Sequence, residues 1–192
     1  LSFDYLQSIT AGLDRNAALH DLMTEFGSDV WNYIYFLTRY KETADDLAQE
    51  VFIKVYEKMY TFRGHSSVKT WILSITRNTV HDYRRSAWFR RVMLSSGFMT
   101  AQQETAPSAE QDYMKHALRE ETWEVVLELP IKLREVLLLY AHHQLPMQQI
   151  GDLLGISQGT VKSRLSRARA KVNQHMRVHE GADERMAQHE ET

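Results

Sequence analysis

Six cationic side chains, Lys162, Arg164, Arg167, Arg169, Lys171 and Arg177, stand between Leu153 and His179 with no Asp or Glu among them. Such a run can make charge-assisted hydrogen bonds to phosphate oxygens, and Arg or Lys can also reach O6 and N7 of guanine from the major groove. The spacing says which of them are available. Val161, Leu165, Ala168 and Val172 fall at i, i+4, i+7 and i+11, which is one face of a helix and must turn inward. Lys162, Ser163, Ser166, Arg167 and Arg169 are then on or near the opposite face, with Arg164 and Lys171 on its flanks. A solvated charged helix is the plainer reading, but it usually carries acids at i+4 to pair with its cations, and this one carries none. On a chain whose formal charge is −2, one cationic face makes a local field without general adhesiveness.

Other groups that could react lack the company they would need. His81 and Asp82 are adjacent, as in metal phosphohydrolases, but no second His and Asp set at suitable spacing accompanies them. His175 and His179 at i and i+4 offer two ligands to a metal and no third, and the adjacent His142 and His143 point in different directions on a helix. No P-loop, nucleophile motif or HExxH occurs. The chain is read as a non-enzyme, with no cofactor and no metal.

The elements that must position the basic face are helical. Three prolines and eight glycines punctuate 192 residues, and apolar residues recur at three- and four-residue spacing. The expected fold is all-α: two small helical domains joined by a flexible linker. Asn16 to Phe26 and Ser28 to Tyr40 read as two helices broken at Gly27. A third starts at Thr43, with Asp46 as a capping-box-like partner and Leu47, Val51, Phe52, Val55, Tyr56 and Met59 as its apolar stripe. A fourth starts at Ser67 and turns Val68, Trp71, Ile72, Ile75, Thr79 and Tyr83 inward. Residues 93–112, small, polar and mildly acidic, form the linker between a domain over 1–92 and a second over 113–179, and the acidic stretch 180–192 is a frayed tail.

In the second domain, "MQQIGDLLGISQGTVKSRLSRARAKV" supplies two helices and the tight turn between them. Ile150, Leu153 and Leu154 form an apolar face, and Gly151 is small enough for a close crossing. Gly155 suits a helix end with positive φ, and Ser157 can cap the next helix. This is the pattern of a helix-turn-helix, whose second helix enters the major groove. With 43% hydrophobic residues the chain should fold, and the absence of cysteine fits a reducing compartment. Leu1 to His20 carries charges where a secretion signal needs an apolar core, and the start at Leu1 leaves room for residues ahead of it. The cytoplasm is the expected location.

The first domain narrows the choice among DNA-binding proteins. "FRGHSSVKTWILSITRNTVHDYRR" joins a loop, two aromatics and a helix basic on its outer side, and from Lys69 to Arg91 six cations face one acid, Asp82. Aromatics interleaved with cations suit single-stranded nucleic acid, where bases stack while phosphates are neutralised, although Trp71 reads as core. Taken with "ETADDLAQEVFIKVYEKM" and "LPIKLREVLLLYAHHQLPMQQIGDLLGISQGTVKSRLSRARAKV", this segment resembles, in order and spacing, the bacterial sigma factors of the extracytoplasmic-function type, from about Ala17 to Val172.

That resemblance implies a dissociable initiation subunit. Asp46, Gln49, Glu50 and Phe52 would dock on core RNA polymerase, although the acids alone would pass for a solvated face. The loop and helix residues Arg63, Gly64, His65, Ser66, Ser67, Val68, Lys69, Arg77, Asn78, Arg84 and Arg85 would handle the minus-ten element as it melts. Part of that loop would hold a flipped base, whose extraction costs a few kcal/mol. Lys162, Ser163, Ser166 and Arg167 would read the minus-thirty-five element, with Thr160, Arg164 and Arg169 on phosphate. Promoter DNA, both duplex and melted, is a partner, and an anti-sigma factor, often membrane-anchored in this family, is another. The alternative is an autonomous helix-turn-helix regulator that binds duplex DNA without polymerase.

Overall fold

The computed structural model describes residues 14–95 and 120–190, and the chain divides into two compact units between Thr100 and Ala101. All regular elements among the described residues are helical. In the first unit α1 spans Arg15–Thr38, α2 Lys41–Lys58 and α3 Val68–Ser95, and a 3-10 turn, Met59–Thr61, follows α2. Each of the three helices packs against the other two.

The expected break at Gly27 does not occur, because α1 runs through it as one helix. A glycine inside a helix costs about 1 kcal/mol. Against that, Leu22, Phe26, Val30, Tyr33, Ile34 and Leu37 are all buried along one uninterrupted stripe, and a break would dissolve its alignment. The Asp14 carboxylate opens α1 by accepting from the Asn16 N–H at 2.9 Å. Arg39, in the left-handed region at φ 71°, closes it with its N–H on the Tyr35 carbonyl.

Helix α2 starts at Lys41, two residues before the expected Thr43, and Asp46 makes no capping box there. The earlier start seats Ala44, fully buried, in the first turn, where its N–H reaches the Tyr40 carbonyl at 3.0 Å. Leu47, Val51, Phe52, Val55 and Met59 are buried as their spacing requires, and Tyr56 lies half-buried at the edge. In α3, Ile72, Ile75 and Thr79 are buried together with Leu73, Thr76 and Val80, whereas Val68, Trp71 and Tyr83 sit half-buried at the margin.

The second unit contains α4, Glu120–Glu128; α5, Ile131–Leu137, which widens into a π turn over Leu138–His142; α6, Met147–Leu154; and α7, Gln158–Glu190. Leu129, Leu133 and Ala168 form a buried cluster that Leu137 and Val172 extend. Arg134 is only 4% exposed. Its guanidinium donates to the carbonyls of Leu127 and Leu129, so it closes the end of α4 from inside. The acidic stretch expected to fray is helical in its backbone through Glu190. The expected linker falls mostly outside the described residues, although α3 extends into it as far as Ser95.

Candidate nucleic-acid interface

The turn before α7 is built from backbone hydrogen bonds. Gly155 has φ 66°, its N–H reaches the Asp152 carbonyl at 3.4 Å, and the Ile156 N–H reaches the Gly151 carbonyl at 2.9 Å. These two bonds form the Schellman ending, which favours glycine at the left-handed residue. Gly151 is small for a specific reason: a Cβ there would lie 2.8 Å from the Ile156 carbonyl oxygen. The close approach is therefore to the turn backbone. Ser157 then starts α7, its hydroxyl accepting from the Thr160 N–H at 3.2 Å and lying 2.9 Å from the Thr160 hydroxyl.

With the turn fixed, the rotation of α7 follows. Val161, Leu165 and Ala168 are buried and Val172 is half-buried. Lys162, Ser163, Ser166, Arg167, Arg169 and Lys171 are exposed, while Thr160 and Arg164 are half-buried on the sides. Among the described residues no carboxylate forms an ion pair with Lys162, Arg164, Arg167 or Arg169. Arg167 donates through Nε to the Ser163 carbonyl at 3.3 Å, and Arg169 lies over the ring of Tyr140. The arrangement presents unneutralised donors along one convex helix, a shape and charge that fit a duplex groove.

The first unit repeats the capping device. Ser67 accepts from the Thr70 N–H at 3.1 Å and lies 2.8 Å from the Thr70 hydroxyl, as Ser157 does with Thr160. Ahead of it the chain turns through Gly64, φ 71°, with Arg63, His65 and Ser67 exposed and Ser66 half-buried. The Arg63 guanidinium donates to the Tyr60 carbonyl at 3.1 Å, and buried Phe62 packs on half-buried Trp71 with ring centroids 5.4 Å apart. Below the loop, Asn78, Arg84 and Arg85 are exposed and Arg77 is half-buried. Lys69 pairs with Asp29 of α1 at 2.8 Å, and Arg85 with Asp82 at 3.3 Å.

On α2, Asp46, Gln49 and Glu50 are exposed on one face. Phe52, expected beside them, is 6% exposed and packs into the core, because its position in the Leu47–Val51–Val55 stripe points it at α1 and α3. The apolar member of the exposed face is Ile53, at 60% exposure. Its i+3 and i+4 spacing from Glu50 and Gln49 could have revealed it. Lys54 bridges helices, with its ammonium 2.6 Å from Glu50 and 3.1 Å from the Thr79 hydroxyl on α3.

Comparison with known proteins gives these surfaces a context. The Sigma-70 region 2 family matches residues 22–90 and the Sigma-70, region 4 family matches residues 119–172. The RNA polymerase sigma factor YlaC of Bacillus subtilis is 30% identical over 161 residues, covering 83% of this chain and 92% of its own. The chain belongs to the extracytoplasmic-function sigma factors. The sigma factor SigM of the same organism is 28% identical over 158 residues, covering 80% of this chain and 92% of its own. The fold matches that of RpoE from Bartonella quintana, solved with the anti-sigma factor NepR, at TM-score 0.66 and 23% identity over 82% of this chain and 98% of that one. It also matches CnrH, solved with the cytosolic domain of CnrY, at TM-score 0.63 and 20% identity, covering 90% and 96%. In this sigma factor region 2 takes in α2 and most of α1 and α3, and α4 to the basic part of α7 fall within region 4.

Proposed function

We propose that this sigma factor binds core RNA polymerase, directs it to promoters carrying two separated elements, and helps open the downstream one. The observation that carries the reading is the order of two family regions in one chain, each with a cationic helix started by a Ser-x-x-Thr cap. Polymerase docking is assigned to the exposed face of α2, where Asp46, Gln49 and Glu50 surround Ile53. Phe52 supports that face from the core side. An exposed isoleucine ringed by polar groups suits an apolar contact with a polar rim.

The loop Arg63 to Val68 receives a base extruded from the minus-ten element, with Asn78 contributing to its recognition and Lys69, Arg77, Arg84 and Arg85 on the backbone. A pocket that receives a flipped base favours opening only where the right base is offered. On α7, Lys162, Ser163, Ser166 and Arg167 read the minus-thirty-five element, and Thr160, Arg164 and Arg169 hold phosphate. If this domain neutralises about five phosphates, log affinity falls against log salt with a slope of about −4.5. The chemistry of RNA synthesis belongs to the polymerase. An autonomous regulator would need no polymerase, and nothing in that reading accounts for the region 2 match.

RpoE was solved with the anti-sigma factor NepR, and a partner of that class is proposed here, holding the factor at the cytoplasmic side of the membrane when it is itself anchored. No helix among the described residues is long and apolar enough to cross a membrane. The experiment is a gel shift on promoter DNA with and without core polymerase. Tight binding only with core supports the proposal, and equal binding by the chain alone favours the regulator.

A further inference from the structure

Successive residues on α7 are turned by about 100°, so Arg169, expected on or near the face opposite the buried stripe, stands instead only about 40° from buried Leu165, on the flank that also carries Lys162 and Ser166. Arg164 and Lys171 occupy the other flank. The guanidinium carbon of Arg169 lies 5.0 Å from the ring centroid of Tyr140. Tyr140 belongs to the π turn Leu138–His142, in which the His143 N–H bonds back to the Leu138 carbonyl at 3.0 Å. Tyr140 follows fully buried Val136 by four residues. Leu138 and Leu139 are buried, and Tyr140 is half-buried beside α7. Single π turns inside helices concentrate at functional places.

We infer that Tyr140 is a positioning residue for Arg169: its ring supports the guanidinium and aims its N–H groups at one DNA strand. The inference rests on the proposed role of Arg169 as a phosphate ligand. Attraction to a ring face uses no N–H donor, so all of them stay available for a bidentate grip on phosphate. Arg169 is exposed and otherwise mobile about its long side chain, and holding it beforehand removes part of the ordering cost of binding.

The test is a double-mutant cycle in holoenzyme reconstituted from the full chain and bacterial core polymerase. The probe is a promoter duplex selected from random sequences with the wild-type holoenzyme. Tyr140→Leu should weaken binding about two- to fivefold on every sequence, as loss of an exposed cation–π contact implies, while Tyr140→Phe retains wild-type affinity. In an Arg169→Ala background Tyr140→Leu should have no further effect. An equal loss in both backgrounds makes Tyr140 a structural residue and overturns the inference. No loss from Arg169→Ala alone removes the phosphate role itself, a separate failure. Thermal midpoints accompany each variant, and Tyr140→Met repeats the cycle if leucine unfolds the turn.

Discussion

Helices α3 and α7 begin alike and present their charge differently. Each opens on a serine that accepts from the N–H of a threonine three residues on, with the two hydroxyls within 2.9 Å. Along α3, Lys69 and Arg85 are engaged by Asp29 and Asp82. Along the basic part of α7, no described carboxylate pairs with Lys162, Arg164, Arg167 or Arg169. A helix that meets intact duplex can carry bare cations, because phosphate is always there to meet them. A helix that must wait for strands to part gains from acids that hold its cations until phosphate replaces them. On the proposed function, α7 grips with bare cations, while α3 holds Lys69 and Arg85 on acids until phosphate replaces them and leaves exposed Arg84 without an ion pair among the described residues.

Removing a base-reading cation from α7 is the strongest way to break this contrast. Arg167→Ala should cost about 1–3 kcal/mol and relax preference at one base pair, whereas Arg169→Ala should weaken all sequences alike, as binding to a panel of promoter variants would show. Uniform losses for both would dissolve the division between reading and gripping. Next comes the pair of helical glycines. Gly151→Ala pushes a methyl group to within 2.8 Å of the Ile156 carbonyl and should destabilise the second unit by about 1–3 kcal/mol. A Cβ at Gly27 meets nothing within 4 Å, so Gly27→Ala should stabilise the first unit by about 0.4–1 kcal/mol. Thermal unfolding of the two variants should therefore move in opposite directions.

The shared cap predicts a shared cost. Ser67→Ala and Ser157→Ala should each destabilise their own unit by about 1 kcal/mol, and hydrogen exchange should open the first turns of α3 and α7 respectively. A large loss at one and none at the other would mean that the two devices are not equivalent. The smallest effect is expected at Asp29. Asp29→Asn should release Lys69 and tighten open-promoter complexes by less than about 1 kcal/mol, the size of a partly exposed ion pair. Weaker complexes would show that Asp29 aims Lys69 instead of restraining it.

Much of this was legible in the chain because both units are built on apolar stripes of helical period. Leu47, Val51 and Val55, or Val161, Leu165 and Ala168, declare a buried face by spacing alone, and the opposite face follows. The Gly155 turn and the Ser157 cap were readable for the same reason: each is a local device with a residue-specific geometry. What could not be read depends on tertiary packing. Gly27 looked like a break because propensity is local, while the stripe that overrides it spans six further residues of α1. Phe52 was named a contact residue through the family resemblance alone, while its place on the apolar stripe, read from spacing, already pointed it inward and left Ile53 outside. Arg134 was unreadable, since a buried arginine makes sense only once the carbonyls of Leu127 and Leu129 converge on it. Tyr140 reached Arg169 through a π turn that no spacing rule anticipates.

The central claim is that the exposed face of α2 holds the polymerase while α3 and α7 engage one promoter at two places. Its most direct test is start-site mapping in transcription by bacterial core polymerase with and without the full chain, beside a variant in which Ile53 and Glu50 are both changed to alanine. The account predicts new start sites that require the chain and disappear with the α2 variant, although that variant remains folded. New starts undiminished in the α2 variant, or none with the wild-type chain, would contradict it.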